Sequence, residues 1–247
     1  MKTKKKMKTG LKVLICFITL VLIVCGAFLI YTSDYYHADD TAIEAASLSG
    51  GIEISSTNGA LIFDPGNAST ALIFYPGGKV EYTAYEPLMI KIAQQGILCI
   101  LPKMPFNLAV FNINAADEYI SGYPEILHWY VGGHSLGGSM AASYAAKNAG
   151  KLEGLVLLAS YSTADLSPDG LRVLSLYGSN DGVLNKDAYQ ANKSKLPADF
   201  TETIIQGGNH AGFGCYGAQK GDGKVKISPE QQQEDTSQAV AEFCLSA

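Results

Sequence analysis

From residue 51 onward, short apolar runs bounded by glycine or proline alternate with longer segments of helical period. No other feature of the chain restricts its fold as much. The first two runs, Gly51–Ser56 and Ala60–Phe63, read as a hairpin turned by Thr57-Asn58-Gly59. Further strands are predicted at Ala71–Tyr75, Ile97–Leu101, Leu127–Val131, Leu155–Ala159, Val173–Tyr177 and Phe200–Ile205. Helices are predicted at Tyr82–Gln95, Asn114–Ser121, Leu136–Asn148, Lys186–Ser194 and Pro229–Phe243. Such alternation builds an α/β domain: a mostly parallel sheet with helices on both faces. Chemistry in such sheets gathers at the carboxyl ends of the strands.

The alternation does not reach the N-terminus. Residues 1–12 are a basic tail, and six lysines with no acid fall before residue 34. Residues 13–31 run without a charge and are about long enough to cross a hydrocarbon core of ~30 Å as a helix. The lysines assign the tail to the cytoplasm and the rest of the chain to the outside. Small residues at Cys25-Gly26-Ala27 suit a signal peptidase, with secretion as the alternative, but Phe28-Leu29-Ile30 continues the apolar run and favours an uncleaved anchor. Residues 32–50 read as a polar spacer, and residues 51–247 as the domain.

Of 18 basic side chains in the chain, 12 lie beyond residue 33, against 23 acidic ones. An acidic body has no electrostatic attraction to a phosphate backbone, so nucleic-acid binding is not expected. Among five cysteines, Cys16 and Cys25 fall in the apolar segment and Cys99 in a strand; Cys215 and Cys244 are left as a disulfide candidate outside the cell. Their spacing fits no zinc site, and there is no dinucleotide fingerprint or Walker loop, so neither metal nor cofactor is expected. Gln231-Gln232-Gln233 is the one biased run, too short to carry meaning by itself.

Gly133-His134-Ser135-Leu136-Gly137 follows a predicted strand and opens a helix, the context of a G-x-S-x-G nucleophile elbow. Small residues flank the serine because the turn leaves no room for a Cβ. A serine hydroxyl needs a base, and the chain has four histidines. His37 lies beside the apolar segment, His128 begins the strand, and His134 occupies the variable elbow position, expected to point away. His210, in Gly207-Gly208-Asn209-His210-Ala211-Gly212, follows the last strand on what reads as a flexible loop. Asp181, just after Val173–Tyr177, is the carboxylate to orient that imidazole, with Asp165 as its rival. The backbone N–H of Leu136 and one from Gly78, or from Lys79 beside it, are expected to form the oxyanion hole.

These stretches, with Tyr75-Pro76-Gly77-Gly78-Lys79-Val80 and Gly178-Ser179-Asn180-Asp181-Gly182, resemble the α/β-hydrolase superfamily over nearly all of residues 51–247, and in particular its small dienelactone-hydrolase-like branch. The resemblance implies a serine hydrolase that cleaves carboxylic esters through an acyl-enzyme, with Ser135, His210 and Asp181 as its triad. It departs in two places. Many members carry His-Gly where this chain has Pro76-Gly77, and many insert a lid where this chain has only Tyr161–Leu171. An open, shallow site without a sizeable cap is expected. Acyl transfer on the same triad, or surface binding without catalysis, are the alternatives.

Overall fold

A computed structural model describes residues 9–45, 50–57, 59–168 and 170–246. Lys2, Lys4, Lys5, Lys6 and Lys8 of the basic tail, and Asn58 of the expected hairpin turn, lie outside the described residues. The chain divides into two compact units, Met1–Tyr35 and Tyr36–Ala247. In the first, helix α1 (Thr9–Ser33) is long and apolar enough to cross a membrane or to serve as a signal sequence.

The second unit begins fifteen residues ahead of the expected domain start. Tyr36 pairs in parallel with Val80. Its N–H donates to Lys79 O at 2.8 Å, and its carbonyl accepts from Glu81 N–H at 2.8 Å. Asp39 N–H donates to Cys215 O at 2.9 Å, and helix α2 (Asp40–Ala45) follows. Residues 36–45, expected as spacer, are therefore part of the domain. Main-chain groups make most of these bonds, so the side chains give little sign of them.

Strands β1 (Glu53–Thr57) and β2 (Ala60–Asp64) form the opening hairpin. The others are β3 (Thr70–Tyr75), β4 (Leu98–Pro102), β5 (His128–His134), β6 (Gly154–Leu158), β7 (Arg172–Gly178) and β8 (Thr201–Ile205). The eight make one sheet in the order β1-β2-β4-β3-β5-β6-β7-β8; β1 and β2 join antiparallel, and every pair from β4 to β8 is parallel. Helices α3 (Glu86–Ala93) and α7 (Pro229–Leu245) pack on one face, α4 (Ala116–Ile120) and α5 (Leu136–Asn148) on the other, and α6 (Lys186–Asn192) connects β7 to β8. Alternation along the strands divides the core between the faces. Leu72, Phe74, Tyr130, Val156 and Leu158 pack with α3 and α7, while Ala71, Ile73, Val131, Leu155 and Leu157 pack with α5. Each Val, Leu, Ile or Phe side chain among them, fully buried, contributes about 1.5–3 kcal/mol.

Strand β5 runs three residues further than its apolar run predicts, through Gly132 and Gly133 to His134. A Cβ on Gly132 would lie 2.8 Å from Val156 O and 2.9 Å from its Cβ, so glycine here serves the close fit of β5 against β6 rather than ending the strand. The predicted helix from Tyr82 opens with a 3-10 turn, Tyr82–Tyr85, before α3. Registers Tyr75↔Gly133, His134↔Leu158 and Gly178↔Ile205 bring the carboxyl ends of β3, β5, β6, β7 and β8 to one rim.

Candidate active site

One residue, Ser135, separates β5 from α5, and it takes φ 52° and ψ −122°. A side chain at positive φ is strained, and the neighbours show what holds it. A Cβ on Gly133 would sit 2.6 Å from Tyr75 O, and one on Gly137 would overlap both Tyr75 O and Pro76 O. Ser135 N–H donates to Leu158 O at 2.9 Å, and Ser160 Oγ donates to Ser135 O at 2.7 Å. Among the described residues, the other non-glycine residues at positive φ are Lys79, Phe106, Asn107 and Ala159. These follow β3, β4 and β6, on the same rim as Ser135, so backbone strain collects where the strands end.

Asp181 follows β7, and His210 follows β8. The two meet, with Asp181 Oδ2 2.9 Å from His210 Nδ1 and both side chains almost wholly buried. Asp181 Oδ1 accepts from Val183 N–H and Leu184 N–H, each at 2.8 Å. Burial pushes this carboxyl's pKa up, but the imidazole and the two amides outweigh burial and hold it below the ordinary value. An ionised Asp181 accepts at Oδ2, so the His210 proton sits on Nδ1 and Nε2 carries the lone pair. Nε2 is buried and has no hydrogen-bond partner among the described residues, Ser135 Oγ included. The structure thus joins Asp181 to His210 and sets Ser135 on the same rim, without a hydrogen bond between Ser135 and His210.

The glycine-rich loop around His210 is clamped rather than flexible. Gln232, fully buried on α7, accepts from Asn209 N–H at 3.0 Å and donates to Asn209 O at 2.8 Å. Gly208 and Gly212 leave room for it, since a Cβ on either would run into the Gln232 amide. Asp222 accepts from His210 N–H at 3.2 Å, Ala211 N–H at 2.9 Å and Gly182 N–H at 3.1 Å, tying the aspartate loop to the histidine loop. Neither Gln232 nor Asp222 stands out in the sequence. The glutamine run was the available sign: two of its three members, Gln232 and Gln233, are buried polar side chains on a surface helix.

The loop after β3 separates the two oxyanion candidates. Lys79 N–H donates to Asn107 O at 2.8 Å, and Gly77 N–H to Tyr85 Oη at 3.1 Å. The N–H groups of Gly78 and Leu136 have no acceptor among the described residues. A Cβ on Gly78 would approach Leu136 Cδ2 to 2.8 Å, so the two residues are close neighbours.

The remaining candidates lie elsewhere. Asp165 is exposed, and its Oδ1 accepts from Ser167 Oγ at 2.6 Å and Ser167 N–H at 3.0 Å; it forms a turn. His37 lies 3.5 Å from Glu81 and His128 3.4 Å from Glu153. His134, expected to point away, is buried with its ring centroid 4.5 Å from that of His210. Cys215 and Cys244 are free thiols, and Cys215 Sγ takes a hydrogen bond from Gln233 Nε2 at 3.3 Å. A cavity of about 700 Å³ lies behind the histidine loop, lined in part by Asn209, Gly212 and Cys215; neither Ser135 nor His210 lines it.

Residues 71–234 match the family model described as "Alpha/beta hydrolase family". The chain belongs to the alpha/beta hydrolase family. Solved structures agree on the fold. Est1E from Butyrivibrio proteoclasticus superposes with a TM-score of 0.55 at 15% identity, covering 78% of this chain and 97% of that one. A predicted CIB-like hydrolase from Thermoplasma acidophilum gives 0.51 at 17% identity, covering 77% and 97%. No curated protein matches the chain. As a family member it is a hydrolase, and the described residues form an eight-stranded sheet without a large cap.

Proposed function

We propose that this hydrolase cleaves carboxylic esters through an acyl-enzyme. Ser135 Oγ attacks the acyl carbon while His210 Nε2 takes its proton and then returns it to the departing alcohol. Asp181 holds the Nδ1–H tautomer and steadies the imidazolium, and the N–H groups of Leu136 and Gly78 receive the oxyanion. Water, activated by the same imidazole, releases the acid. The observation that carries this reading is the buried Asp181–His210 pair, which leaves Nε2 as an unused base on the rim that also bears the strained Ser135. The Ser135–His210 hydrogen bond is absent in this resting arrangement; bonds of this kind tighten in the substrate complex.

The connection from β6 to β7 holds no helix among the described residues, which supports an open site for short acyl groups or for esters on bulky partners. Such a site gives no jump in rate as substrate passes its micellar concentration. We place the domain outside the cell, anchored through α1, because the lysines precede the apolar run. Turnover of p-nitrophenyl esters of increasing chain length, beside a Ser135→Ala control, tests the reading. Turnover that survives in Ser135→Ala would reject it.

A further inference from the structure

Two buried side chains behind the rim have no part in that mechanism. Tyr85 and His134 are essentially inaccessible to solvent, with Tyr85 Oη 2.8 Å from His134 Nδ1. Gly77 N–H already donates to the same Oη at 3.1 Å. A phenol has one proton to give, and among the described residues Nδ1 is the acceptor it meets. His134 is therefore the Nε2–H tautomer. Burial first, and then the neighbouring His210, pull the His134 pKa well below its ordinary value, while burial lifts that of Tyr85, so both groups are neutral. The His134 Nε2–H has no hydrogen-bond partner among the described residues. The His210 main chain is near enough to offset part of the drop in its pKa without forming the bond.

This pair touches both halves of the candidate site. On one side it holds Gly77, and a Cβ there would fall 2.6 Å from Tyr85 Oη and 2.8 Å from His134 Nδ1. On the other side, the His134 ring packs against His210 at 4.5 Å and against Phe213 at 5.5 Å between centroids. We infer that Tyr85 and His134 are positioning residues, a buried pair that transmits the setting of the Gly77-Gly78 loop to the ring of His210 and keeps the two in register. With Gly77 N–H engaged by Tyr85, Gly78 is left as the unpaired amide of that loop. The histidine at the variable position of the elbow is thus the wall on which the base rests. Its neutrality matters because a second cation beside His210 would oppose the imidazolium that forms during turnover.

The inference rests on the hydrolase reading above, and its test separates the two. Tyr85→Phe, His134→Asn and the double variant are made in the full chain. They are assayed with p-nitrophenyl butyrate and with a fluorophosphonate that labels Ser135. Losing an oxyanion donor outright costs ~10²–10³ in kcat, and displacing one costs less. Each single variant is expected to lower kcat about tenfold with KM within about twofold, and the double variant to be no worse than the weaker single, because the residues act as a unit. Labelling of Ser135 slows in proportion. Wild-type kcat in Tyr85→Phe, or effects that multiply in the double variant, would overturn the inference while the hydrolase reading stands. A wild-type protein that neither turns over nor labels at Ser135 removes both. Nitrogen-15 NMR of the wild-type protein supplies a readout that needs no variant to fold: a neutral His134 protonated on Nε2 near pH 7 is expected, and protonation on Nδ1 contradicts the pair.

Discussion

The loop of Ser135 and the loop of His210 look alike in sequence, each a polar residue set among glycines, but their glycines answer different constraints. In the elbow, a Cβ at Gly133 or Gly137 would meet main-chain oxygens of Tyr75 and Pro76, at the carboxyl end of the interior strand β3, where the backbone has little freedom to shift. In the histidine loop, a Cβ at Gly208 or Gly212 would meet the amide of Gln232, the end of a side chain that can move at the cost of two hydrogen bonds. Main-chain crowding forces the conformation of the serine. Side-chain clamping holds the position of the histidine. The first is a condition of the fold, and the second is an adjustable support.

Substitutions sharpen that contrast. Gly137→Ala is expected to cost about 4 kcal/mol or more and to leave no cooperative thermal transition. A soluble Gly137→Ala protein melting near wild type would break the comparison. Gln232→Ala is expected to cost about 1–3 kcal/mol in denaturant titration, since Asn209 N–H and O lose their partner. Gly212→Ala should cost a similar amount by expelling the same amide, and the double variant should fall well short of the sum. Full additivity would mean that the glycine and the glutamine do not share one cause.

A smaller effect concerns acid. Asp181 is held below its ordinary pKa in the folded chain, so it contributes stability that is whole above its unfolded value of about 4. That contribution is lost as pH falls through the lower folded value. Asp181→Asn should therefore flatten the acid limb of a stability profile while leaving the limb above about pH 5 parallel to wild type. A profile equally steep at low pH would show that other carboxylates govern it.

What the sequence disclosed follows the same division. The strands were legible because each buried one holds an apolar run with glycine or proline next to at least one end, and the elbow because main-chain crowding leaves glycine as the residue that fits. The meeting of Asp181 with His210 was legible from chain order and from the scarcity of histidines. Tyr36 was not, because its bonds to Lys79 and Glu81 are main-chain bonds that other residues would also make. Gln232 was hidden on a helix whose polar residues read as a solvated face, and Asp222 in a lysine-glycine turn that reads the same way. The packing of His134 against His210 was not legible, because the sequence does not say how far the loop after β8 folds back over the rim.

The central claim, that Ser135 is activated by His210 across the rim, is tested most directly by mass spectrometry of the full chain after brief exposure to a fluorophosphonate. The account predicts a single adduct, mapping to the peptide that contains Ser135, and a labelling rate in His210→Ala at least about a hundredfold lower. An adduct on another residue, or equal labelling in the presence and absence of the imidazole, would contradict it.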